Sequence, residues 1–250
     1  MTLGILLVIG IVPFFHRFNF RKPFALRKAK DKIISNGGQN QISLSNLPAP
    51  QVDFGVFTLV KTELLLFVRH GKKYMWIFNF IGMVVLAFLP MNVAHQIVLP
   101  ILWFLQVGRL SELTSKEFSN EVHHFTFSSY RPLSRLLTSQ ILAASLVLIL
   151  LAAPLIIRYV ISGDILAITS IVLGGIAIVL FAAFLGILSK GKKLFEVLFF
   201  MISYANINGI SFLDYFGGFN HDVSYLMTMA SIVAILGALG YLLRNYQLRH

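Results

Sequence analysis

Two stretches, 136–157 and 165–189, contain no aspartate, glutamate, lysine or arginine, and a third, 74–108, contains none before Arg109 is reached. A run of about 20 such residues is long enough to cross a bilayer as a helix, which satisfies its own backbone hydrogen bonds where no water can. That constraint sets the fold class: an all-α, polytopic membrane helical bundle. Composition agrees, since 57% of the 250 residues are apolar and 12% are charged, against about 25% charged in a soluble domain. With no cysteine in the chain, disulfides, thiolate zinc sites and catalytic thiols are excluded.

The apolar segments number about six to seven. Residues 1–15 form a first segment of about 22 Å, short against a hydrocarbon core of about 30 Å. Residues 16–55 follow as a basic linker with a Ser/Asn/Gln/Gly/Pro-rich second half. Residues 56–70 carry Phe57, Val60, Leu64, Phe67 and Val68 at helical spacing, with Lys61, Glu63 and Arg69 off that stripe. Such a helix suits the membrane interface plane, or packing on another domain. His70, Lys72 and Lys73 before Tyr74 and Trp76 mark a membrane boundary. Pro90 divides 74–108 into a hairpin of two short spans. Four further segments follow at 136–157, 165–189, 194–208 and 224–243. Gly174, Gly175 and Gly186 leave room for close helix approach. Residues 56–250 together read as one transmembrane domain.

Charge placement orients the chain. Twenty of the 21 lysines and arginines fall in 16–73, 109–135, 190–193 and 244–250, and Arg158 stands alone in the remaining loops. The positive-inside rule then puts those four segments and the C-terminus in the cytoplasm. It also accounts for a net charge of +11 without a nucleic-acid partner.

The longest polar stretch in the apolar second two-thirds of the sequence is 109–135, with Arg109, Glu112, Lys116, Glu117, Glu121, His123 and His124 ahead of a Ser-Tyr-Arg-Pro break. Mixed charge of this kind suits a polar protein interface, so 109–130 is the candidate docking element for a soluble partner, and 56–70 with Glu63 and Arg69 the second contact. Adjacent His123 and His124 point to different faces of any helix, which argues against metal ligation. His95 falls at the expected outer turn as an interfacial polar residue. Glu196, three residues past Lys193, is read either as a local partner of nearby lysines or as a gating group. No phosphate-loop, H-E-x-x-H or G-x-S-x-G pattern occurs. The chain is therefore not expected to be an enzyme, and no metal or cofactor is expected in it. The near absence of charge within the spans argues against an ion-coupled carrier and suits an externally powered transporter or an apolar substrate.

Three pieces together resemble the permeases of ABC type-2 transporters. They are Lys61 through Lys73 ahead of Trp76; Glu112 and Glu117 within SELTSKE with Ser128 through Arg135; and Lys192-Lys193-Leu194-Phe195-Glu196-Val197 with Asn208-Gly209 and Leu213-Asp214-Tyr215. The match covers roughly 57–243 and rests on order and spacing. His16-Arg17-Phe18-Asn19 is similar to the end of a preceding permease half, with Asn19 where the family often has Asp. The resemblance implies the second half of a longer permease or a shortened member. It further implies an exporter, set in the bacterial inner (plasma) membrane and paired with a second permease half or another copy. Separate ATP-binding subunits would drive it and hold the ATP and Mg. The competing reading is a non-transporting membrane scaffold or assembly factor; an intramembrane enzyme would need paired buried catalytic groups, which are missing.

Overall fold

A computed structural model of the chain describes residues 55–69, 74–128, 131–210, 214–219 and 222–249. The expected first segment (1–15) and basic linker (16–55) therefore lie outside the described residues except for Gly55. Every regular element among the described residues is helical: α1 (Val56–Arg69), α2 (Tyr74–Phe88), α3 (Met91–Phe104), the short α4 (Val107–Leu110), α5 (Lys116–Ser119) and α6 (His123–Phe127), then α7 (Leu133–Ser162), α8 (Ile165–Ser189), α9 (Lys193–Ile207) and α10 (Val223–Arg249).

Three helices, α7, α8 and α10, are long and apolar enough to cross a membrane. The remaining expected spans are shorter helices: α2 and α3, joined through Leu89 and Pro90, and the 15-residue α9. At 1.5 Å per residue α2 reaches only about 22 Å. The Pro90 break does make a hairpin, since Asn79 on α2 meets Gln106 beyond α3, and Gly82 lies against Leu102.

α8 is the centre of the bundle. It packs against α7 and α10 along their lengths, and its inward face is made of small residues such as Ala167, Gly174, Ala182 and Gly186. Gly174 and Gly186 admit irregular chain rather than a neighbouring helix, while Gly175 faces Trp103 of α3 and Leu148 of α7. A Cβ at Gly174 would collide with the Tyr215 carbonyl and lie 2.8 Å from Phe216 Cα; one at Gly175 would touch the Trp103 ring, and one at Gly186 the Thr114 hydroxyl. α10 packs mainly on α8, and its other flank is exposed.

The apolar stripe of α1 is turned from its expected position. Phe57 and Val68 are exposed, while Val60, Glu63 and Phe67 are buried. The helix packs against α7, and Glu63 can face that way because Lys116 reaches it.

Proline placement explains two irregularities. Pro100 has no N–H to give Gln96 and its ring would strike that carbonyl; the preceding turn widens to a π-helix over Ala94–Val98, with Leu99 N–H donating to the Ala94 carbonyl. A second π turn, Leu133–Leu137, follows Pro132 at the start of α7.

Candidate functional site

At one end of the bundle, called here the basic pole, the segment 107–128 is folded under the helices rather than looped into solvent. Leu110, Ser111, Leu113, Thr114, Ser115 and Glu117 are all buried. Thr114 donates to the Ala183 carbonyl of α8, and Ser115 to the Ser111 carbonyl. Side chains then tie the segment to the surrounding helices. Lys116 pairs with Glu63 of α1. Glu112 pairs with Lys192 ahead of α9 at 3.1 Å, and Ser111 Oγ donates to Glu196 Oε1 at 3.0 Å. Gln140 Nε2 of α7 donates to Glu117 Oε1 at 2.6 Å, and Arg244 of α10 stands 3.8 Å from Glu117 Oε2.

These contacts relocate several expected site residues. Glu117 is 3% exposed and is held between Gln140 of α7 and Arg244 of α10 rather than facing solvent. Glu196 takes its bond from Ser111, while Lys192 serves Glu112, so the expected local glutamate–lysine pair is formed by different residues. Glu112 and Lys116 are half-buried within the same network, and Glu63 is buried in it. Arg69 and Glu121 are exposed; Glu121 takes a left-handed backbone (φ 58°) where the chain turns from α5 to α6. His123 and His124 do not diverge: their ring centroids are 3.9 Å apart, and His123 also stacks on Phe118. Among the described residues no three His, Asp or Glu side chains converge as metal ligands.

Electrostatics at this pole follow burial. The Glu117 carboxyl is pushed above its ordinary range by desolvation, against the pull of its backbone N–H, Lys116, Arg244 and Gln140. Desolvation likewise lowers Arg109, which donates to Gln106 Oε1 and lies 4.6 Å over the Trp76 ring. Trp76 Nε1 in turn donates to the Val68 carbonyl at the end of α1. What remains exposed on the segment is its tip: Val122, His124 and Phe125, the last 84% exposed.

The opposite pole holds a second feature, built from a stretch that is rich in glycine and aromatic residues. Residues 214–219 descend into the bundle as far as Gly174, nine residues and about 14 Å along α8 from Ile165. Asp214 makes this possible. Its Oδ1 accepts from the N–H groups of Phe216, Gly217 and Gly218, and its Oδ2 from that of Phe219. Gln96 donates to the Gly218 carbonyl. His95 Nε2 sits 3.0 Å from the Phe216 carbonyl, which can only accept, so Nε2 carries the proton, and in the neutral ring Nδ1 accepts from the Tyr159 hydroxyl. His95 is 1% exposed; the expected interfacial histidine is a core residue. Gly217 (φ 73°) is required twice, by its backbone and by Ser170, 2.6 Å from where a Cβ would stand.

No family model, no curated protein and no solved structure matches this chain. The site has therefore to be read from its own geometry. That geometry offers two places for function: the keyed segment 107–128 with its exposed tip, and an apolar cavity of about 230 Å³ between α8, α9 and α10, lined by Phe181, Phe199, Ile202 and Met229 and closed by Asp214 and Tyr215.

Proposed function

We propose that this chain is the membrane-spanning permease subunit of an ABC transporter, working as an exporter and driven by a separate ATP-binding subunit. In this reading it sits in a bacterial inner membrane with the basic pole and C-terminus cytoplasmic, and the hairpin and α9 complete a set of six to seven spans as short ones. One observation carries the proposal: segment 107–128 is bonded by side chains to α1, α7 and α10 and to the start of α9, while presenting an exposed tip. An external engine needs such a part, because a push on a surface element becomes helix motion only if that element is joined directly to the helices. The partner would dock on Val122, Phe125 and Glu121, with Arg69 at the margin.

The apolar cavity supports an apolar or amphipathic cargo. Its walls carry no charge apart from Asp214, whose carboxylate is already occupied by four backbone N–H groups.

Affinity purification of the tagged chain in mild detergent, with mass spectrometry and an ATPase assay, tests the reading. A co-purifying ATP-binding subunit with vanadate-sensitive turnover is the expected result, and Phe125→Asp should remove it while leaving the elution profile of the chain unchanged. Charge reversal at Glu117 would not serve, since it would disturb packing as much as docking. A monodisperse chain that brings down no such subunit would reject transport in favour of the membrane scaffold.

A further inference from the structure

A second cavity, of about 430 Å³, opens at the basic pole between the end of α8, the end of α10 and helix α6. Phe118, Phe127 and Leu248 give it apolar walls, and Lys190, His123 and His124 give it basic ones. No aspartate or glutamate lines it. Lys190 forms no ion pair among the described residues; its ammonium lies 5.4 Å from the Phe118 ring centroid. His123 Nδ1 is buried without a hydrogen-bond partner. Behind Phe127, Arg244 lays its guanidinium 4.4 Å from the ring centroid, and Nη1 and Nη2 make no hydrogen bond. Arg244 is 2% exposed and lies outside the cavity lining, with its Nη2 3.8 Å from Glu117 Oε2.

A cavity with basic walls, a buried His123 nitrogen without a partner and no acid in its lining is built for an anion. The donors are of the kind that phosphate oxygens satisfy best, short and charge-assisted. The cavity also lies beside the exposed flank of α10, where Tyr241, Leu242 and Tyr246 are each more than half exposed. Amphipathic aromatics at a helix end mark the membrane–water boundary. An occupant at that level would have its phosphate among the basic groups and its apolar part against Phe118, Phe127 and Leu248.

We propose that this cavity binds the phosphodiester headgroup of an anionic phospholipid. Positive-inside placement puts the basic pole at the leaflet where such lipids concentrate, and basic pockets between helices on that side are suited to their headgroups. The bound headgroup would bridge α6, α8 and α10, and so would tie the exposed tip of segment 107–128 to two long helices. The assignment concerns the membrane-embedded chain itself and holds whether or not the chain transports anything.

The test uses the full chain, purified in detergent and stripped of lipid, with native mass spectrometry as readout. Dioleoyl-phosphatidylglycerol and dioleoyl-phosphatidylcholine are added in separate titrations. The chain should retain the anionic lipid in preference to the zwitterionic one. Lys190→Asn should reduce that retention about fivefold, and His123→Gln should reduce it further. Lys61→Gln, on the exposed side of α1, should leave it unchanged. Lys190 is exposed and has a left-handed backbone (φ 51°) that asparagine tolerates, so the first variant should elute as the parent does. Equal retention of the two lipids, or retention unaffected by both cavity substitutions, overturns the proposal. Full displacement of phosphatidylglycerol by excess inorganic phosphate would assign the cavity to the free anion and reject the lipid.

Discussion

The two poles of the molecule solve the same problem by opposite means. Each must join several helices through polar groups in a setting poor in water. At the pole opposite the basic one, side chains bind backbone. Asp214 holds four N–H groups, His95 and Gln96 each hold a carbonyl of the descending loop, and Arg158 donates to the carbonyls of Leu86 and Leu89 at the end of α2. At the basic pole Thr114 also holds the Ala183 carbonyl, but most links join side chains: Glu63 with Lys116, Glu112 with Lys192, Glu117 with Gln140 and Arg244. Backbone partners are fixed by the chain path, so the first arrangement has one geometry. Side-chain partners can exchange by rotamer changes, and several atoms there, including Gln140 Oε1 and both terminal nitrogens of Arg244, have no hydrogen-bond partner to begin with. The difference teaches where each end gains its rigidity: a plug with one geometry at one end, and at the other a set of side-chain links whose partners can exchange.

The comparison breaks first at Asp214. Removing its carboxylate leaves four backbone N–H groups without acceptors at a depth where irregular backbone must be satisfied by protein. Hydrogen bonds to a charged acceptor contribute about 1.5–3 kcal/mol each and are not additive. Asp214→Ala should therefore lower stability by at least about 4 kcal/mol, read as the loss of a cooperative thermal transition in detergent. A transition close to that of the parent would mean that the loop is not a plug.

Arg244 is the matching position at the basic pole. Arg244→Met fills similar volume but leaves Glu117 without its cation, and breaking a buried pair on one side costs about 3–5 kcal/mol when the other charge cannot escape. Here it can, because Glu117 can take up a proton, so the loss should fall toward about 2 kcal/mol. The same property makes this pole sensitive to pH. A carboxyl whose folded pKa lies above its unfolded value binds its proton more tightly in the folded state. Its contribution is most favourable below the unfolded value of 4.5 and is lost as pH rises through the raised folded value. Glu117→Gln should remove this dependence, so that parent and variant diverge in melting temperature as pH rises from the acid side. Parallel profiles would show that the carboxyl is not strained by burial.

Gly174 sharpens the claim that the plug depends on the shape of α8. A methyl group there meets Phe216 Cα at 2.8 Å, backbone that cannot swing aside, and overpacking of this kind costs about 1–3 kcal/mol. Gly237→Ala is the control. The new carbon would touch only Leu180 Cδ1, at 3.9 Å, and replacing a helical glycine by alanine gains up to about 1 kcal/mol. Equal effects at the two positions would remove the loop from the account.

Regular structure was the legible part of the sequence. The charge-free run 165–189 coincides with α8, and Pro90 splits 74–108 where the sequence says it should. Apolar periodicity and prolines act locally, so a single sequence carries them. The poles were less legible because their partners are remote in the chain. Glu117 reads as a surface acid until Gln140 and Arg244 close on it. The same holds for Glu63, which belongs to the buried face of α1 only because Lys116 arrives there. Gly174 and Gly217 did carry a signal for the descending loop, as did Asp214 just ahead of a glycine pair. Read one by one, however, glycines in a span suggest helix contact, which is the commoner cause of a small residue.

The smallest effect should come from the pair between Lys192 and Glu112. It has the same charges as the buried links, with its N and O 3.1 Å apart, yet its side chains are 50% and 30% exposed. In water the Coulomb gain is screened and is offset by the order imposed on a long side chain, so exposed pairs contribute about 0–1 kcal/mol. Lys192→Ala should change stability by no more than about 0.5 kcal/mol, an effect that fades with added salt. If it cost as much as Arg244→Met, exposure would not be what separates weak links from strong ones at this pole. The rearrangeable set would then extend to the solvent edge, where α9 begins and where Ser111 meets Glu196.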